Sequence, residues 1–600
     1  MSKVQESYRE RIDRFSVEEN KFRKYSLYCL WLKLTTFLGC CISLYAIHPN
    51  YASYRIIIPV IFLFGYVVFF VFDAECCSRS KSLRKKIKVC SDELAGMEGD
   101  YTAFANGKEF VNPQHPYSID LDIFGPDSLF HRLNRTVTRH GSTVLAEKLM
   151  KLPDSKDVVI QNQEAIKELA ALTDWRISFL TVDYMTGNLD GLSQHLVKQK
   201  YKALSFATYL SYFSIGLTLL SLILGVFGFI SFSFLGLMLT LQLIFASFVS
   251  KTQKKANNHI NVLHKEYAGY LNIMRKIHVI EFKSEKLKAI YNDLFGKKDS
   301  SMAAFKKLST LLNLFDIRGS EIMYLLLNGL FLFDIFLIKE FTKWKEDHLP
   351  HIDKWLRAIG ELDALVSLST YAYNHPQNHY AHILTNDTSD NIITAHNVCH
   401  PFLNREQAIP NDFTLKKGNI AIVTGANMAG KSTFLRTIGI TYLLASTGVP
   451  VCAEEFSCSL VSLFSSMRTT DNLCNNVSYF QAEILRLKQL TEYLTQHSHT
   501  LVILDEILKG TNSKDKLNGS ILFLDSVSSL NMSGIIATHD LELAQHYEMQ
   551  KDKFRNYCFE IELSDDIAYS YKITEGIAQN MNASYLLRNI FSPLHKNRKL

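Results

Sequence analysis

Residues 425–433 carry the densest chemistry in the chain. Gly425, Ala426, Asn427, Met428, Ala429, Gly430, Lys431 and Ser432 fit G-x-x-x-x-G-K-[ST], and Thr433 completes the ATP-binding set. The glycines let backbone N–H groups close around phosphate oxygens at a helix N-terminus. Lys431 is placed to reach the β- and γ-phosphates, and Ser432 to ligate Mg²⁺. A second cluster, Asp505-Glu506, ends the apolar run from Thr500. Asp505 suits Mg²⁺ through a water, and Glu506 suits the group that orients or activates the attacking water. His539 follows a third apolar run, Gly534–Thr538, and at such a strand end it can sense the γ-phosphate.

Each group needs an element to hold it. Asn419–Thr424 reads as a buried strand, and the run from Thr433 reads as a helix. Ile392–Thr394, Ile420–Val423, Leu501–Leu504, Gly534–Ala537 and Tyr569–Ile573 alternate with helical patterns. That texture predicts a C-terminal α/β P-loop domain over 376–600, with a largely parallel sheet. Upstream, 121–375 is helical, with Leu129, Leu133 and Val137 at helix spacings and Pro153 ending a helix. Residues 91–120 hold Gly96, Gly99, Gly107, Pro113 and Pro116 in a polar context and read as a linker.

Two stretches are too apolar for a soluble surface. Ala203 to Ser250 contains no Asp, Glu, Lys or Arg, which is too long for one membrane span of about 20 residues. It divides into a transmembrane hairpin with helices at about 204–227 and 234–249. Lys198, Lys200 and Lys202 precede it, and Lys251, Lys254 and Lys255 follow it. A first hairpin, at about 27–47 and 56–72 within an N-terminal unit of 1–90, is flanked by Arg23 and Lys24 and by Arg79–Lys88. Lys33 interrupts its first span and is expected to snorkel. Positive residues at both ends of each hairpin place both termini and the ATPase domain in the cytoplasm of a multi-pass membrane protein. The basic clusters then read as anchors at an anionic leaflet of membrane lipid. The shorter run Ile322–Phe333 is expected to be a core helix.

Composition bounds the alternatives. Over 600 residues, 65 Lys+Arg against 59 Asp+Glu leaves a net charge of +6, which excludes a strongly basic nucleic-acid coat. The 11 cysteines include no C-x-x-C pair, so neither a zinc site nor a disulfide framework is expected. The first 24 residues mix acidic and basic side chains without an apolar core, so no cleavable signal peptide is expected.

The segments TGANMAGKSTFLRTIG from Thr424, LDEILKGTNS from Leu504 and ATHDLELAQ from Ala537 resemble the ATPase domain of the MutS family of mismatch-repair proteins. His400-Pro401, Ile409–Asp412 and Tyr571–Ala583 fit the same pattern, and Leu121–Pro153 resembles the start of the family's helical core. The resemblance implies a helical core and lever region over 121–375, interrupted by the second hairpin. It also implies a homodimer whose ATP sites are completed in trans by Ser478 of Asn476–Glu483. The family's adenine-stacking aromatic corresponds here to Ala408. The Phe-x-Glu motif by which mismatch-repair members read a lesion is absent from the sequence. The chain therefore resembles a membrane-associated, MutS-like branch without the mismatch-recognition domain. Two readings follow: an Mg²⁺-dependent ATP hydrolase that moves its levers on duplex DNA, or a membrane-embedded mechanochemical ATPase that never meets DNA. A transport ATPase fits less well, since Lys33 is the one charge within the spans and no polar pathway is visible.

Overall fold

A computed structural model describes residues 3–46, 52–183, 204–251, 269–296, 301–317, 321–385, 390–403, 406, 408–468, 479–510, 512–563 and 567–579. Ser478 and the flanking lysines Lys198, Lys200, Lys202, Lys254 and Lys255 lie outside the described residues.

The chain begins with two long antiparallel helices, α1 (Lys3–Ala46) and α2 (Ala52–Met97). Their pairing changes character midway. Outward-facing large apolar residues run from Leu27 to Tyr45 and from Ile57 to Phe72. Below that level, Tyr8, Phe15, Leu83 and Cys90 are buried with Ile177 in a small core of their own. At the transition Lys33 does not snorkel alone: its Nζ lies 2.6 Å from Asp73 Oδ2, and Ser26 donates to the other oxygen of that carboxylate. An acid just past the apolar run of α2 supplies a partner across the helix pair. The basic cluster after Phe72 is likewise paired within the protein, through Arg79–Glu75, Arg84–Glu19 and Lys85–Asp183. It is therefore less available to a lipid headgroup than its composition suggests.

Residues 91–97 continue α2 rather than opening a linker, and Tyr117, Ser118, Asp120 and Leu121 beyond it are buried. The glycines of this stretch serve tight turns. Gly107 has φ 69°, and a Cβ there would sit 2.6 Å from the Phe130 ring. The helical region follows: α3 (Leu129–Leu133), α4 (Arg139–Met150), α5 (Lys156–Ala171), α6 (Thr173–Leu180), then α7 (Leu204–Val226) and α8 (Phe232–Lys251). Ser128 and Thr138 cap α3 and α4 by accepting from His131 N and Gly141 N. Among the described residues, three helices are long and apolar enough to cross a membrane: Lys3–Tyr45, Ile57–Met97 and Tyr209–Val226. Ser233–Ser247 is a shorter apolar helix. Gln242 of α8 donates to Ser214 Oγ and Thr218 Oγ1 of α7, so the second hairpin is joined by hydrogen bonds as well as by apolar packing.

After residues 269–278, also helical, come α9 (Glu285–Phe295), α10 (Ser301–Ile317), α11 (Glu321–Phe331) and the 42-residue α12 (Phe333–Asn374). The run Ile322–Phe333 is not a core helix. As α11 it leaves Met323, Leu325, Leu326, Leu330 and Phe331 exposed. α12 is the spine against which α4, α5, α9 and α10 pack. Its Asp363, fully buried, accepts from Val137 N, Thr138 N and Thr138 Oγ1 and so holds the start of α4.

The C-terminal unit contains β1 (His382–Leu384), β2 (Asn391–Val398), β3 (Asn411–Lys416), β4 (Ile420–Gly425), α13 (Lys431–Thr447), β5 (Glu455–Ser459) and β6 (Ser462–Ser466). It continues with α14 (Tyr479–Gln496), β7 (Thr500–Asp505), α15 (Ser513–Ser528), β8 (Met532–Ala537), α16 (Leu541–His546), β9 (Phe554–Leu563) and β10 (Ile567–Glu575). The six-stranded sheet has order β10-β9-β4-β8-β7-β6, parallel except for β10. A second, mixed sheet of four strands, β1-β5-β2-β3, makes the unit less uniformly parallel than its strand texture implies. β4 and β8 are buried throughout, as the middle of a covered parallel sheet requires.

One apolar core runs from the helices into this unit. Leu121 meets α13 at Gly439, Asn162 donates to Thr447 O, and Gln163 donates to Ala381 O. Asp120 accepts from Met467 N and Arg468 N, and Asp122 pairs with Arg468 and Arg436.

Candidate functional site

The parallel order of β4, β8 and β7 aligns their C-terminal ends, because Val423 and Asp505 each register against Ala537. Everything that follows those ends is thereby brought to one edge of the sheet. The loop after β4 turns through Gly425 (φ 150°), Met428 (φ 67°) and Gly430 (φ 107°), and Gly430 caps α13. A Cβ at Gly425 would stand 2.9 Å from Phe559 O, so the loop can lie against β9 only with glycine there. Ala426 and Ala429 are buried under the loop, while Met428 stands out into solvent.

Lys431 folds back over this loop. Its Nζ donates to Gly425 O at 2.7 Å and Ala426 O at 2.9 Å, and lies 3.2 Å from His539 Nδ1. Burial lowers the Lys431 ammonium to about 8, against the pull of Asp505 and Glu506 toward the charged form. His539 Nδ1 also lies 3.1 Å from Gly425 O. The two contacts need opposite roles of that nitrogen: it accepts from Lys431 or donates to the carbonyl. Burial first, and Lys431 second, push the imidazole below its ordinary range and favour the neutral ring.

Asp505 closes β7, and Glu506 follows it with φ 69°, a left-handed backbone that a glutamate adopts only where the surroundings impose it. Glu506 N donates to Ala537 O, which holds it against the end of β8. Its carboxylate is paired with Lys516 on α15. Burial alone would raise this carboxyl, but the Lys516 hydrogen bond and charge, with His539 and Lys509 behind them, hold it below the usual range. Glu483 on α14 accepts from Lys509 N and Gly510 N, so the loop beyond Glu506 is pinned to the helix that follows the Ser478 segment.

A cavity of about 450 Å³ opens beside the loop. Asn427, Met428, Gly430, Lys431, Ser432, Thr433 and His539 line it. His400, Ala408, Ile409 and Tyr571 line it as well. Asp505 and Glu506 are not in that lining, although both carboxylates act on Lys431. Arranged this way, the loop N–H groups and Lys431 can hold a polyphosphate, Ser432 and Asp505 offer oxygens of the type Mg²⁺ prefers, and the cavity leaves room beside the loop for the rest of a nucleotide. His400 and Tyr571 stand in segments that fit the family pattern, but no role at the cavity was expected of either. The structure singles out Tyr571 by its positive φ of 50° and by its ring, 3.1 Å from where a Cβ on Gly430 would be. Lys516 was equally silent in the sequence, ten residues beyond Glu506 and one helical turn into α15.

Residues 421–590 match the family model described as MutS domain V. The chain is similar to the DNA mismatch repair protein MutS of Lachnoclostridium phytofermentans, 30% identical over 254 residues, or 41% of this chain and 27% of that protein. It is also similar to that of Geobacillus sp. (strain WCH70), 28% identical over 239 residues, or 39% of this chain and 27% of that protein. That of Acetivibrio thermocellus is 30% identical over 234 residues, or 37% of this chain and 26% of that protein. The matched stretch thus spans about a quarter of each relative's length.

Proposed function

We propose that this chain is a membrane-anchored MutS-family ATPase that binds and hydrolyses ATP in a dimer and moves its helical levers with the nucleotide state. The observation that carries the reading is the convergence of Lys431, His539, Asp505 and Glu506 from three parallel strand ends onto one glycine loop beside a cavity. Ser432, with Asp505 acting through water, is the donor set for Mg²⁺, whose charge would help neutralise the phosphates. Lys431 holds the β- and γ-phosphates. Glu506, kept ionised by Lys516, orients and deprotonates the attacking water once that ion pair opens. His539, neutral, donates toward the γ-phosphate. Ser478 completes the site of the other protomer.

Glu506→Gln tests the assignment. It should leave ATP binding within about twofold and lower turnover by about 10²–10⁴. Turnover at the wild-type rate would remove Glu506 from the mechanism.

The second reading, a mechanochemical ATPase without DNA, is favoured by one feature. The root of the first hairpin is bound to the ATPase end of α12 by buried polar contacts: Tyr8 Oη to Asn374 Oδ1, Asn374 Nδ2 to Glu93 Oε2, and Arg135 Nε to Glu93 Oε1 at 2.6 Å. Nucleotide-driven movement of α12 would then act directly on a membrane helix pair. The ATPase rate of the purified protein, with and without duplex DNA at two salt concentrations, separates the readings. A salt-sensitive change supports a DNA clamp. An unchanged rate, with no DNA retained at low salt, supports the membrane output.

A further inference from the structure

The short apolar helix α11 has no place in the soluble core. After Glu321 it carries no charge until Asp334, and its Met323, Leu325, Leu326, Leu330 and Phe331 face outward. Its other side is not free. Gly329 approaches Leu243 of α8, with 3.8 Å from a Cβ there to the leucine side chain. Leu332, which joins α11 to α12 in a left-handed turn (φ 47°), is buried with Ile335 and with Ala246 of α8. The Phe336 ring, one turn into α12, packs at a tilt against Tyr212 of α7, with centroids 4.9 Å apart. The corner is locked by Asn328 and Asp334, both fully buried: Asp334 N donates to Asn328 Oδ1, and Asn328 Nδ2 donates to Asp334 Oδ1.

These contacts fix a depth. Leu243 is eight residues before Lys251 and Tyr212 eight after Leu204, so both lie about 12 Å, at ~1.5 Å per residue, inside the ends of the hairpin. Eleven residues of helix extend about 16 Å, half of a hydrocarbon core of about 30 Å. α11 packs on both α7 and α8, which themselves expose Phe213, Leu220, Leu237 and Leu241. The chain becomes charged again at the buried Asp334, and then at Lys339 and Glu340.

We propose that α11 is a half-membrane helix in the cytoplasmic leaflet, its outer face covered by acyl chains, so that the lever helix α12 starts inside the bilayer. This rests on the reading of α7 and α8 as a membrane hairpin. Where a soluble lever would end in a tip free to close on a ligand, this one ends in lipid, and its displacement is delivered to the leaflet.

The test uses the unaltered full chain reconstituted in vesicles that contain a phosphatidylcholine with a photoactivatable acyl chain, followed by mass-spectrometric mapping of lipid adducts. Adducts on 321–331 at a density comparable to 209–226, and at least about tenfold above those on the soluble helix 285–295, are expected for an acyl-covered face. Adducts on 209–226 with none on 321–331 overturn the proposal while leaving the hairpin intact. Absence of adducts from 209–226 overturns the hairpin reading, and this proposal with it.

Discussion

Glu506, the proposed base, is held in check. Its carboxylate is half-buried, which alone would raise its pKa, and the Lys516 ammonium reverses that effect. The acid limb of the rate profile reports this balance, since a general base works only when ionised. In the wild type that limb should lie below the usual glutamate range. In Lys516→Ala the burial penalty is opposed only by His539 and Lys509, so the limb should move to higher pH, and the rate at mildly acidic pH should fall relative to the plateau. A pH–kcat series on both proteins measures the shift; identical limbs would show that Lys516 does not act on the base. Little of this relation could be read from sequence. A glycine loop followed by Lys-Ser, and two carboxylates after an apolar run, are local patterns with local reasons. Lys516 is a helix lysine like many others until α15 is folded against β7. His400 and Tyr571 come from opposite ends of the C-terminal unit, and only the strand order brings them to one cavity.

At the scale of elements, the crossing of α4 and α12 depends on the absence of side chains. A Cβ on Gly141 would fall 2.2 Å from Asp363 Oδ2, and one on Gly360 would fall 3.0 Å from the His140 backbone. Gly141→Ala gains helix propensity but must displace the carboxylate that receives Val137 N and Thr138 N. A net loss of about 1–3 kcal/mol is expected, as for other overpacked interiors, and thermal denaturation in detergent measures it. A variant as stable as wild type would show that the Asp363 cap is dispensable. The elements themselves were partly legible. Periods of apolar residues marked the strands at Ile420, Leu501 and Gly534 and both pairs of apolar helices. Of the mixed four-stranded sheet only β2 was marked, through Ile392–Thr394; β1 and β5 are short, and β3 alternates buried and exposed residues. α11 was misread for a different reason: twelve apolar residues look alike whether protein or lipid covers them.

For the whole molecule, the proposed sharing of sites between protomers makes a quantitative claim. Lys431→Ala and Ser478→Ala should each be inactive alone. Mixed in equal amounts and allowed to exchange, half of the dimers pair one with the other, and each of those keeps one complete site. About a quarter of wild-type turnover should therefore return. Single-turnover ATPase measurements on the mixture distinguish this from sites complete within one chain, for which nothing returns.

The spine that joins these scales is α12. Its 42 residues extend about 63 Å at ~1.5 Å per residue. A pivot of about 5° where Asn374 meets the C-terminal unit would sweep the opposite tip through about 5 Å, one helical pitch. Pro350 interrupts this rod: it has no N–H for the carbonyl of Glu346, so the helix bends there more readily than elsewhere. The rod is a pointer with a single soft joint. Its gain is set by its length, and the share of each stroke that reaches the far end is set by the stiffness of one residue.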